Sequence, residues 1–132
     1  MSSHSFRTAV ENQDHAAMVD EMADDIIFHS PVAFKPFDGK AAVAGLFTAL
    51  LDTFDEFEYT DELTTEGTTA LIFKAKVGDK RIQGLDLMRF NDQGKVSEFT
   101  VMMRPLSALI EMGNRMAPKV EGLAKADSVP EY

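Results

Sequence analysis

Cysteine is absent from the 132 residues, which excludes disulfides, thiolate nucleophiles and zinc–cysteine sites and is compatible with a reducing compartment. Positive charge is scarce. Thirteen lysines and arginines face 22 aspartates and glutamates, for a formal net charge of -9 and a pI near 4.7. Such a surface repels phosphate backbones and anionic lipids, so neither nucleic acid nor a membrane is expected as a partner. Long apolar runs are missing too, and Met1-Ser2-Ser3-His4-Ser5 carries neither the basic cluster nor the apolar stretch of a secretion signal. The expected location is therefore cytoplasmic. No Gly-rich phosphate loop is visible, and His4, His15 and His29 are scattered without paired spacing. Neither a cofactor nor a metal is expected.

At 45% hydrophobic the chain has enough apolar material for one core, and residues 1–132 are expected to form a single domain. Phe6, Ala9, Val10, Ala16, Ala17, Val19, Met22 and Ala23 recur at helical spacing, interrupted around Asn12-Gln13-Asp14. This predicts two short helices, the second capped by Asp14. Ile26 to Ser30 is a β-branched and aromatic run stopped by Pro31, a short strand. Beyond Gly39, the spacing of Val43, Leu46, Phe47, Leu50 and Phe54 predicts a third, amphipathic helix.

The period then changes from helical to alternating, and Gly67, Gly78-Asp79 and Asn91-Asp92-Gln93-Gly94 punctuate it as hairpin turns. Four antiparallel strands are predicted, over 56–65, 69–77, 80–90 and 95–103. After Pro105, the stripe of Leu106, Leu109, Ile110 and Met116 predicts a closing helix over about residues 105–117, and a polar tail over about residues 125–132 is expected to fray. Helices first and an antiparallel meander afterwards make an α+β layout in which the sheet has to wrap the helices.

The segments 22–31, Gly39-Lys40 opening a helix, Gly84-Leu85-Asp86-Leu87-Met88-Arg89-Phe90, and Gly94-Lys95-Val96 together resemble the nuclear transport factor 2-like superfamily over about residues 4–105. That superfamily includes the SnoaL-like polyketide cyclases, ketosteroid isomerase and limonene epoxide hydrolase. The resemblance implies a cone, a curved antiparallel sheet of the cystatin-like kind closed by helices around a pocket and often dimerised through its outer face. By the same resemblance Asp86 matches the pocket carboxyl that assists the oxyanion in the isomerase and the acid/base aspartate of the cyclases. Two positions depart. The isomerase's base falls where this chain has Ser30, and its oxyanion tyrosine where it has Phe6, so isomerisation by that residue set is not expected. The Asp-Arg-Asp constellation of the epoxide hydrolase is not seen either.

Asp86 stands out on physical grounds as well, because it interrupts an apolar run in a central strand. With a period of two, Ile82, Gly84, Asp86, Met88 and Phe90 share one face while Leu85, Leu87 and Arg89 share the other. The resemblance puts the first set on the pocket side, where lost hydration would raise the carboxyl's pKa and suit it to proton transfer. The plainer alternative is a carboxylate at the pocket mouth paired with lysine or arginine. Ser30 shares a face with Ile26 and Phe28, while His29 points the other way, which argues against a Ser-His-Asp triad. His29 is then either a second acid/base group beside Asp86 or a histidine packed on the outer face. The expected ligand contacts are Phe28, Ser30, Gly84, Met88, Phe99, Val101 and Met103. Arg104 either clamps a ligand carboxylate or anchors the last helix by an ion pair. A small hydrophobic molecule is the expected ligand, turned over by cofactor-independent cyclisation or isomerisation, or simply bound. Leu85, Leu87, Thr100 and Met102 on the outer face point to a homodimer.

Overall fold

The computed structural model describes residues 3–126. Two short helices open it, α1 (Ser3–Glu11) and α2 (His15–Asp20), and the Asp14 carboxylate caps the second by accepting from the Ala17 amide at 3.1 Å. Strand β1 (Met22–His29) follows, then a two-residue strand β2 (Phe37–Asp38) and helix α3 (Lys40–Thr53). Gly39, at φ 97°, turns the chain into α3 in a conformation that a side chain would resist. The meander is β3 (Asp55–Thr65), β4 (Thr68–Val77), β5 (Lys80–Phe90) and β6 (Val96–Arg104). Helix α4 (Leu106–Met116) and a single 3₁₀ turn (Ala117–Lys119) come last.

The six strands form one curved, unclosed sheet in the order β2-β1-β6-β5-β4-β3. Strands β3 to β6 are antiparallel, as the hairpin turns require, while β1 joins β6 in parallel with Phe28 opposite Phe99. Burial alternates along β5, with Ile82, Gly84, Asp86 and Met88 enclosed and Gln83 and Arg89 in solvent. The helices therefore cover the face that carries Asp86. An aromatic cluster fills the junction, where Phe28 stacks on Phe99 at 5.1 Å and Phe6 packs against both Phe47 and Phe99.

The closing segment departs from its sequence pattern. Ala108, Met112 and Met116 form the buried stripe of α4, whereas Leu106 and Ile110 lie in solvent. Gly113 faces Val32, and Met116, common to both stripes, receives the Thr53 hydroxyl on its sulfur. Beyond it the chain straps back along α3, with Lys119 Nζ bonded to Asp52 and Thr53 and Leu123 lying over Gly45. Lys125, expected to begin the frayed tail, bridges to Phe37 and is pinned by backbone bonds on either side. Residues 127–132 of that expected tail lie outside the described residues. No helix among the described residues is long and apolar enough to cross a membrane.

Candidate functional site

Between the concave face of the sheet and helices α1, α3 and α4 lies a cavity of about 710 Å³, walled mainly by phenylalanine, leucine and methionine side chains. Asp86 stands in this wall. The alternation of β5 turns it inward, between Leu71 of β4 and Val101 of β6, and leaves it 6% exposed. Tyr59, equally buried on β3, donates its hydroxyl to Asp86 Oδ2 at 3.4 Å. The Tyr59 ring is set edge-on against Phe57 at 4.9 Å, and Phe57 stacks on Phe73 at 4.7 Å. These rings pack against the phenol as it reaches across β4.

Burial dominates the electrostatics. It drives the Asp86 carboxyl up to about 8, against which the Tyr59 hydrogen bond, which favours the ionised form, pulls weakly down. Tyr59 is held well above its ordinary value by its own burial and then by the neighbouring Asp86. At neutral pH both groups therefore carry protons in most molecules, and only a minor fraction of Asp86 is ionised. Among the described residues no lysine or arginine pairs with Asp86. With the Tyr59 hydroxyl committed to one carboxyl oxygen, the protonated Asp86 can donate one hydrogen bond to a ligand oxygen, and its ionised fraction can accept a proton.

Phe28, Ser30, Phe99, Val101 and Met103 also line the cavity. The Ser30 oxygen is occupied locally, accepting from the amides of Val32 at 3.1 Å and Ala33 at 2.8 Å. Gly84 and Met88 do not line it. The Phe73 ring lies directly on Gly84, and Met88 is wholly enclosed in the core. His29 is not brought to Asp86 either. Parity along β1 turns it to the opposite face from Phe28, where Nε2 sits 2.8 Å from Glu98 Oε2. Arg104 is exposed, its guanidinium donating to Gln83 at 3.4 Å, and stands away from the cavity. Phe6, expected from the resemblance at the place of the isomerase tyrosine, is buried against Phe47 and Phe99 and takes no part in the wall. Among the described residues no group of three or more His, Asp or Glu side chains is placed to hold a metal ion.

Sequence reasoning missed Tyr59. Its alternation with Glu58 put it on an inward face of β3, but nothing in the spacing reveals that it reaches Asp86 two strands away. The contact of Gly84 with Phe73 has a measurable consequence. A methyl group at position 84 would overlap the Phe73 ring, so Gly84→Ala is expected to lower stability by about 1–3 kcal/mol, the usual range for overpacking. Chemical denaturation checks this, and an unchanged midpoint would show that the ring yields freely.

A family model described as SnoaL-like domain matches residues 4–99. No curated protein matches the chain. Among solved structures, it is similar to a steroid delta-isomerase from Pseudomonas aeruginosa at 30% identity and TM-score 0.83, covering 87% of this chain and 85% of that one. An uncharacterized protein conserved in bacteria with a cystatin-like fold, from Silicibacter pomeroyi, is similar at 27% identity and TM-score 0.85, covering 90% and 84%. An NTF2-like protein of unknown function from Cytophaga hutchinsonii shares 15% identity at TM-score 0.64 over 81% and 90%, a likeness of fold alone.

Proposed function

We propose, from the premise that the chain belongs to the SnoaL-like domain family, that its cavity takes up a small, largely apolar, uncharged carbonyl compound on which Asp86 moves a proton. The reaction class is cofactor-independent cyclisation or isomerisation. The observation that carries this is a buried carboxyl bonded to a phenol in the wall of a largely apolar cavity. A carbonyl oxygen placed against the pair accepts from the Asp86 hydroxyl, and the acidity of the adjacent C–H rises as negative charge moves onto that oxygen. In an isomerisation the ionised fraction of Asp86 takes the proton from one carbon and returns it at another. In an aldol closure the carbanion left by that transfer forms the new C–C bond to a second carbonyl of the ligand, and the resulting alkoxide takes the proton back from Asp86.

Similarity to a steroid delta-isomerase supports the isomerase end of this range, but the residues differ from the set expected for such an enzyme. Ser30 and Phe6 occupy the positions of base and tyrosine, and it is Tyr59 that approaches the carboxyl from another strand. A second reading, uptake of a ligand without chemistry, is favoured by one observation. The other carboxylates bordering the cavity, Glu11, Asp55, Glu56 and Glu121, are all exposed at its edge, so among the described residues no second buried carboxylate faces Asp86.

Native mass spectrometry of freshly purified protein identifies a retained ligand, and the pH dependence of its binding or turnover separates the roles. If Asp86 acts as donor, activity falls as pH rises through about 8. If it acts as base, activity rises through the same range. A flat profile from about pH 6 to about pH 10 would remove Asp86 from the chemistry.

We further propose that a second copy of the chain covers the convex face. Strand register aligns Leu63, Ala70 and Leu87 in one row and Ile72, Leu85 and Met102 in the next, and Leu63 and Met102 are 59% and 54% exposed. Leu87→Glu is expected to convert a dimer to a monomer in light scattering. A wild-type monomer at micromolar concentration would refute the dimer.

A further inference from the structure

Tyr59 belongs to β3, which lies at the edge of the sheet and pairs only with β4. The pairing is irregular here, its register shifting between Tyr59 and Asp61, so the ladder alone does not dictate where the phenol points. Besides its contacts with Phe57 and Phe73, the ring is covered by Arg7 of α1. Its guanidinium carbon lies 5.5 Å from the Tyr59 ring centroid. Nε bonds Glu11 Oε2 at 3.1 Å, one turn along the same helix, and the other arm bonds Glu62 Oε1 at 3.0 Å, on β3 itself. The two carboxylates set the plane of the guanidinium, a task for which lysine lacks the fork.

We propose that Arg7 is a positioning residue for the site, tying α1 to the edge strand and holding the Tyr59 ring so that its hydroxyl meets Asp86. This rests on the reading of Asp86 and Tyr59 as the site's polar pair. The charged and titratable groups around the phenol are Arg7 and Glu11 from α1, Glu62 on its own strand and Asp86 from β5. A half-exposed ion pair with no such task changes little when removed, so the inference demands a readout at Asp86 itself.

That readout is the titration of the Asp86 carboxyl by carbon-13 NMR in the full chain, with no ligand present. Tyr59→Phe removes the hydrogen bond to the ionised form and is expected to raise the midpoint by about half to one pH unit. Arg7→Leu should produce most of the same rise in the wild-type background and none in the Tyr59→Phe background. An equal rise in both backgrounds would mean that Arg7 acts only through its charge, and no rise in either would mean that it does not hold the phenol. Each result overturns the inference. Should Arg7→Leu not fold, Glu62→Ala keeps the cation and releases its anchor. Positioning then predicts a rise, whereas simple loss of a neighbouring negative charge predicts a fall. Because the titration needs no substrate, its outcome is separate from that of the ligand experiments that test Asp86 as an acid/base group.

Discussion

Asp86→Asn is expected to lower turnover of the bound ligand by about 10²-fold or more while making the protein more stable in alkaline solution. The two effects have opposite signs for one physical reason. Folding raises the Asp86 carboxyl from 3.8 to about 8, so between those values the folded chain holds a proton that the unfolded chain has released. The stability tied to that proton is fully present below about pH 4, declines as pH rises, and is gone above about pH 8. At 1.36 kcal/mol for each pH unit, the full loss is on the order of several kcal/mol. Asparagine is neutral throughout, matches the shape and still accepts from Tyr59, so the variant escapes the decline. Melting temperatures of both proteins across this range check the stability arm, and steady-state rates check the other. A carboxyl of purely structural role would show the stability effect without the loss of turnover, and a binder would keep its affinity and lose only its pH dependence. Parallel melting curves at every pH would show that Asp86 is not held neutral by burial.

Much of this arrangement was legible because β structure writes itself in alternation and turns. The ends of β5 follow from Gly78-Asp79 on one side and Asn91 to Gly94 on the other, and its parity places Asp86 inward and Leu87 outward. Parity also sent His29 and Phe28 to opposite faces of β1. Less legible was where β1 begins, since Asp24 and Asp25 look like a loop. They are exposed strand residues at the sheet's rim, where Met22 already pairs with Val96. The two residues of β2 have no pattern of their own and exist because β1 and Lys125 flank them. Position on an inner face proved insufficient to define the cavity. Gly84 and Met88 share the face of Asp86, yet a ring from the neighbouring strand covers one and the core encloses the other. The meeting of Tyr59 with Asp86 depends on the curvature of three strands and on an arginine from α1, quantities that spacing along the chain does not carry.

Truncation after Arg104 is expected to lower the melting temperature by more than about 10 °C and to expose the cavity to hydrophobic dyes. Helix α4 places Met112 and Met116 in the buried stripe, and both of these side chains also form cavity wall, as do Val120 and Leu123 of the strap. Burying one methionine side chain contributes about 1.5–3 kcal/mol, so the two together with Ala108 account for on the order of 5 kcal/mol. That is a large part of the ~5–15 kcal/mol by which domains are usually stable. Leu106 and Ile110, exposed in the intact chain, add nothing to this loss. A second truncation after Met116 separates wall from strap. It keeps the buried methionines but removes the Lys119 clamp on Asp52 and Thr53 and the seat of Leu123 on Gly45. It should therefore melt closer to the full chain while exchanging ligand faster. If the longer deletion changes neither melting nor dye binding, α4 is not a wall of the cavity. If the shorter one melts as low as the longer, the strap and not the helix carries the stability.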